Sequence, residues 1–401
     1  MEPKIRFKGF EGEWKDTIWG NYIVSTHTGT NLLGEVSNKG IPLLKMGNIQ
    51  RGFFDLEKME YLAANQNPPV NCIANYGDFF YNTRNTLELV GKGATWMKKD
   101  GIYAFNSNIA ICKLDGIDTF FFNYLYNTLR SIKQVQARAK GTTSVAAVYM
   151  RDLKSIELAL PHITEQQAIA SYFTSLDSQI SAATSRLASL KQMKAASLQA
   201  MFPQEGKTVP KIRFKGFEGE WKKVKADSIF KTFNEKNRSD LPVLSATQDR
   251  GMVTRESIGY NIFHDTSNEA TYKHILPGQF VIHLRSFQGG FAHSEIEGIA
   301  SPAYTIMDFK NKDLYHDYYW RYVFMSKEFI KRLELITYGI RDGRSISYDE
   351  FKEMSFLVPS KEEQIKIASY LKNLDRQISL QSQRLEKLKQ IKSACLDKMF
   401  V

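Results

Sequence analysis

Asn67-Pro68-Pro69-Val70 comes within one residue of a loop that can handle an amine. In such a loop an Asn side chain and a proline carbonyl hold an exocyclic amino group while a fourth-position aromatic ring stacks on an extruded base. Val70 stands where the ring is needed. Gly91-Lys92-Gly93 opens no clear helix and has no ribose-binding acid downstream, so it does not read as a cofactor turn for S-adenosylmethionine. Asn67 to Val70 therefore reads as a plain turn. The seven histidines are scattered without a second His at ligand spacing, and Cys72, Cys112 and Cys395 lie far apart, so neither zinc nor a disulfide framework is expected. No phosphate-binding glycine loop occurs. What remains are cations on turns. Arg84 and Arg285 each stand just past an apolar segment introduced by a Gly turn, and a guanidinium fork suits anionic oxygens and other bidentate acceptors.

Those two arginines belong to two copies of one design. Pro3 to Lys15 recurs letter for letter at Pro210 to Lys222, and Pro161 to Phe202 returns without a gap as Pro359 to Phe400 with about half of its positions matching. A period near 200 residues is too long for a solenoid, so each copy is a folded domain with an appendage. At 401 residues and 43% hydrophobic content, each half can bury an ordinary core without staples. The net charge of +11 favours an anionic partner. The N-terminus has no apolar stretch of signal-peptide length and no window approaches about 18 apolar residues, so a soluble, cytoplasmic protein is expected, in a reducing interior.

The recurring segments predict helices over Glu165 to Met201 and Glu363 to Met399, with no Gly or Pro inside. Leu176, Ile180, Ala183, Leu187 and Leu190 make one narrow stripe, and Leu374, Ile378, Leu385 and Leu388 the other, the pattern of a coiled-coil seam. Lys194, Gln381 and Lys392 fall near the seam, where polar groups can fix register. Thr164 and Ser360 are the expected N-caps. Each helix should be on the order of 50 Å long. Two matching seams in one chain predict an antiparallel pair with a globular domain at each end.

Between the constant blocks the copies share a frame but little surface. Ile41 to Leu44 answers to Leu241 to Leu244, Arg51-Gly52 to Arg250-Gly251, and Tyr76 to Tyr81 to Leu276 to Ile282. The aromatic-rich stretches from Phe120 and from Tyr315 correspond, as do Gly141 and Gly339. Short apolar strands with Gly turns and a late helix predict an α+β fold with a mainly antiparallel or mixed sheet in each domain.

The duplicated helix starts, Pro161-His162-Ile163-Thr164-Glu165-Gln166-Gln167 and Val358-Pro359-Ser360-Lys361-Glu362-Glu363-Gln364, resemble those of the specificity subunit of type I restriction-modification systems. So do the opening block at Pro3 and Gly141-Thr142-Thr143-Ser144, and the resemblance covers essentially the whole chain. It implies two tandem α/β target recognition domains, over residues 1–160 and 206–358, separated by conserved long helices in 161–205 and 359–401 that form an antiparallel coiled coil. Each domain would read one half of a bipartite, asymmetric double-stranded DNA site, and the helices would set the spacer. Two methyltransferase subunits carrying S-adenosylmethionine would dock on the chain, with motor and nuclease subunits joining for restriction. The chain itself would bind no cofactor or metal and catalyse nothing.

On that reading, base edges are met by Arg or Lys for guanine and Asn or Gln for adenine, while phosphate contacts supply position and salt-dependent affinity. The candidates lie on turns flanking the shared strands: Lys45, Asn48, Arg51, Arg84, Asn85 and Lys92 in the first copy, and Gln248, Arg250, Arg285, Gln288, Arg341 and Arg344 in the second. The competing expectation is a scaffold without DNA affinity, whose coiled coil recruits proteins and whose globular domains bind peptide or glycan.

Overall fold

The computed structural model describes residues 2–36, 39–142, 144–247, 250–258, 266–283, 290–337 and 346–401. The chain forms two compact units, Met1–Thr184 with Arg384–Val401, and Ser185–Gln383. Each long helix thus gives one half to each unit.

In the first unit the sequence FFYN at Phe79–Asn82 is buried along its whole length. Alternation sends Phe79 and Tyr81 to one core and Phe80 to another, as a strand with both faces covered requires. This strand sits inside a four-stranded antiparallel sheet ordered Ile23–Thr28, Ile109–Leu114, Phe79–Asn82, Gly93–Thr95. A second sheet, ordered Gly34–Glu35, Glu60–Leu62, Pro42–Leu44, Ala104–Phe105, contains one parallel pair, so the unit is mixed as the α+β expectation allowed. Trp19 is fully buried against the rings of Phe79, Tyr81, Phe122 and Tyr126, with centroids 5.1 to 6.3 Å away. Such ring pairs contribute about 0.5–1.5 kcal/mol each beyond area burial.

The second unit repeats this frame with different residues. Its main sheet runs Phe230–Phe233, Thr305–Phe309, Phe280–Ile282, Phe291–His293, the same order and the same antiparallel sense. Phe280 and Ile282 again face one core and Val281 the other. Gly77 and Gly278, with φ of 88° and 86°, make the turn before the central strand in each unit. The late helices expected from the aromatic runs are Thr119–Tyr126 and Asp317–Met325.

The long helices are Ile163–Ala200 and Lys361–Lys398. Ser360 caps the second, accepting from the Glu363 N–H at 3.3 Å. Thr164 does not cap the first: the helix begins one residue earlier, and the imidazole Nδ1 of His162 takes the Thr164 N–H at 3.4 Å. Within the first unit Tyr172 meets Cys395 and Asp177 meets Lys392; within the second Ser197 meets Tyr370 and Lys194 meets Asp375. As the number climbs along one helix it falls along the other, so the halves pair antiparallel in each unit. Lys194 and Lys392, expected to fix register, each hold an Asp carboxylate at 2.5 Å that also accepts from a tyrosine, Tyr322 or Tyr124.

The block at Pro3 finds its partner at the helix start. Arg6 grips Glu165 through two bonds of 2.7 Å and its other nitrogen donates to Gly12 O; Arg213 repeats the fork on Glu363 at 2.7 and 2.8 Å and donates to Gly219 O. Glu165 and Glu363 are each 1% exposed. Gln166 accepts from the Asp118 N–H and donates to Pro161 O, while Gln364 accepts from the His316 N–H and donates to Pro359 O. The repeated letters are therefore the ones that clamp domain to helix.

Candidate nucleic-acid interface

The frame brings several separate segments to one end of the central strand of the first unit. Asn82, the last residue of Phe79–Asn82, donates through Nδ2 to Met46 O at 3.1 Å and through its backbone to Lys92 O at 2.8 Å. The chain then runs through Thr83, whose N–H and hydroxyl both reach Asn108 O, into the short strand Arg84–Asn85. That strand pairs with Ala146–Ala147, itself paired with Lys140–Gly141. Gly141, at φ 129°, has no room for a side chain, since a Cβ would lie 2.3 Å from Val145 O. The Thr142 N–H closes the loop on Val145 O, and Thr142 and Ser144 place their hydroxyls 3.1 Å apart at its tip.

The candidates fall into different classes here. Arg84 is exposed and its guanidinium meets no carboxylate among the described residues; it lies opposite Ala147 in the small sheet. Asn85, beside it, accepts the Thr86 N–H, and among the described residues its amide nitrogen has no partner. Arg51 is half-buried, donates to Glu88 O at 2.9 Å, and burial lowers its pKa below the ordinary arginine value. Lys92 is buried against Gln50 Oε1 at 2.9 Å, and burial together with neighbouring Arg51 lowers its pKa as well. Lys45 is paired with Glu60 at 2.6 Å. Asn48 is 6% exposed with its amide committed to the turn: Oδ1 accepts from the Lys45 N–H, and Nδ2 donates to Asp55 O and Lys58 O. It has no donor left for a base edge.

In the second unit Arg250 is exposed on the turn between Leu244–Thr247 and Gly251–Thr254. Thr247 Oγ1 takes the Arg250 N–H at 3.2 Å and donates to Gly251 O at 2.8 Å, so the turn is closed on itself. Gln248, Arg285, Gln288, Arg341 and Arg344 lie outside the described residues.

In the first unit the exposed Arg84, the half-buried Asn85 and the exposed hydroxyls of Thr142 and Ser144 share one small sheet and its hairpin, a donor set that phosphates and base edges accept. That Arg84 and the Lys140–Ala147 hairpin form one sheet has no signal in the residues beyond the Gly141 to Ser144 motif, because two-residue strands over fifty positions apart leave no periodicity to find. Among the described residues no group of three or more His, Cys, Asp or Glu could hold a metal ion, and no helix is long and apolar enough to cross a membrane.

The model of the family described as the type I restriction modification DNA specificity domain matches residues 33–192 and 218–390. A putative type I restriction enzyme MjaX specificity subunit from Methanocaldococcus jannaschii is 21% identical over 194 residues, which span 46% of this chain and 45% of that protein. The fold is similar to the crystal structure of a type I restriction-modification S subunit from M. genitalium, with a TM-score of 0.65 at 15% identity over 100% of this chain and 99% of that one. An HsdS subunit from Thermoanaerobacter tengcongensis aligns over 98% and 97% of the two chains at 15% identity, with a TM-score of 0.44.

Proposed function

Because this chain belongs to the type I restriction modification DNA specificity family, we propose that it is the subunit that chooses the DNA sequence for such a complex, with each unit reading one half of a bipartite, asymmetric site. The observation that carries this reading is the repetition of one four-stranded sheet order in the two units, with an Arg-Gly pair after the matching apolar segment of each copy, while the residues between the constant blocks differ almost completely. Two equal frames with unequal faces suit two unlike sequences.

The long helices set the spacer and, with the constant blocks, dock two methyltransferase subunits. Those partners carry S-adenosylmethionine and modify adenine, and motor and nuclease subunits complete the restriction complex, all in the cytoplasm. This chain contributes recognition and no catalysis. Arg84 in the first unit and Arg250 in the second are its leading DNA contacts among the described residues, and Arg51, Asn85 and the hydroxyls of Thr142 and Ser144 are further contacts of the first unit. Arg285 is proposed as the counterpart of Arg84.

Exchanging Trp14 to Leu160 for the corresponding region of another family member tests the division of labour. One half of the methylated motif should change and the other stay; a change in both would refute independent reading. Inserting four residues between Ser189 and Leu190 adds about 6 Å of helix, between one and two base-pair steps of about 3.4 Å. Both half-sequences should persist with one or two base pairs more between them, and an unchanged spacer in an assembled complex would remove the helices as ruler.

A further inference from the structure

We propose that Asn123 is a positioning residue for DNA reading by the first unit, holding the Arg51-Gly52 turn in place from beneath. Asn123 is fully buried in the helix Thr119–Tyr126, an unusual place for an amide unless its bonds are satisfied. Its Oδ1 accepts from the Thr95 N–H at 2.9 Å and its Nδ2 donates to Gly52 O at 3.0 Å, so one side chain joins the edge strand Gly93–Thr95 to the turn. Asn127, one helical turn on, donates to Gly93 O at 3.0 Å, and that same carbonyl accepts from the Gly52 N–H at 2.9 Å. The turn is a two-residue loop. Ile49 bridges Phe54, the Gln50 N–H donates to Phe53 O at 2.9 Å, and Gly52 takes φ of 84°. With Gly52 held at both its N–H and its carbonyl, the direction in which Arg51 leaves the surface is set from inside the domain.

The second unit shows that the fold does not require this tether. Tyr124 and Tyr322 each donate to the equivalent Asp, Asp177 and Asp375, which aligns the two helices and puts Arg321 at the place of Asn123. Arg321 reaches instead to Glu295 at 2.5 Å, and the Arg250-Gly251 turn closes through its own Thr247. A side chain that differs between copies at a buried position, and that reaches only the turn and the strand edge, follows the variable surface and not the shared frame.

This inference rests on the reading that the Arg51 turn contacts DNA, and the test separates the two. The full chain, assembled with its methyltransferase subunits, is measured for binding to duplexes carrying the motif and its single-base variants. Asn123→Ala, and the volume-keeping Asn123→Leu, should weaken binding about ten-fold and blur discrimination in one half only, as expected when a buried polar tether is lost. In the Arg51→Ala background the same changes should cost less than two-fold, because a side chain that acts by aiming Arg51 has nothing left to aim. Equal losses with and without Arg51, or losses in both halves, would make Asn123 a general structural residue and overturn the proposal. If Arg51→Ala itself left binding unchanged, the contact assigned to the turn would be wrong and the positioning role would fall with it. Binding kept by both Asn123 variants while Arg51→Ala weakens it would overturn the positioning role alone.

Discussion

The Arg6–Glu165 and Arg213–Glu363 forks agree to within 0.1 Å, whereas the two Arg-Gly turns are held by unrelated means, Asn123 in one unit and Thr247 in the other. The contrast separates two kinds of constraint on a duplicated chain. A buried charge pair must keep both partners, so each copy retains the same letters at sites 159 and 150 residues apart in sequence. A turn facing outward must keep only its backbone path, which Gly52 and Gly251 secure with φ of 84° and 75°, and the rest is free to differ. Identity marks where the chain meets itself, and divergence marks where it meets something else.

The largest effect is expected at the forks. Arg6→Ala leaves Glu165 buried without its partner, and the loss should be about 3–5 kcal/mol, read as a shift in the urea midpoint; Arg213→Ala should cost a similar amount. A loss below about 1 kcal/mol at both would mean the clamps do not hold domain to helix.

On the outward side, Arg84→Ala should leave stability within about 0.5 kcal/mol, as expected for an exposed position. Binding should fall instead. A base contact costs about 1–3 kcal/mol at one position, while a phosphate contact weakens all sequences and lowers the salt slope by about one. Titrations at several salt concentrations with cognate and variant duplexes distinguish these outcomes, and unchanged affinity would remove Arg84 from the interface.

Smaller effects should come from the helix register. Asp177→Asn keeps an acceptor for Tyr124 but gives up the charge held by Lys392, a partly exposed pair, for a cost of about 0.5–1 kcal/mol. Asp375→Asn should do the same to Lys194 and Tyr322. High salt should shrink both differences.

Much of this was legible in the residues. The helices, the seam and the register lysines follow from a 3.6-residue period, which survives in a single sequence because neighbours on a helix face are three or four residues apart. The shared strands were visible through their Gly turns and apolar runs. What could not be read was long-range pairing. By position Glu165 is an acid in the first turn of its helix, where the dipole alone would favour it, and only the fold brings Arg6 to it. Asn48 and Lys92 were candidates by type and position, yet the fold buries both, because an Asn in a turn can serve its own backbone as readily as a ligand. Thr164 looked like a cap by composition, while His162 took the role through its ring nitrogen.

Two unequal faces on two like frames should read two unequal sequences. Mapping methylated adenines in the genome of cells expressing this chain with its methyltransferase subunits tests it most directly. Two unlike short sequences separated by a fixed gap are the expected result. A palindromic or continuous motif would mean that the two units do not read separate half-sites.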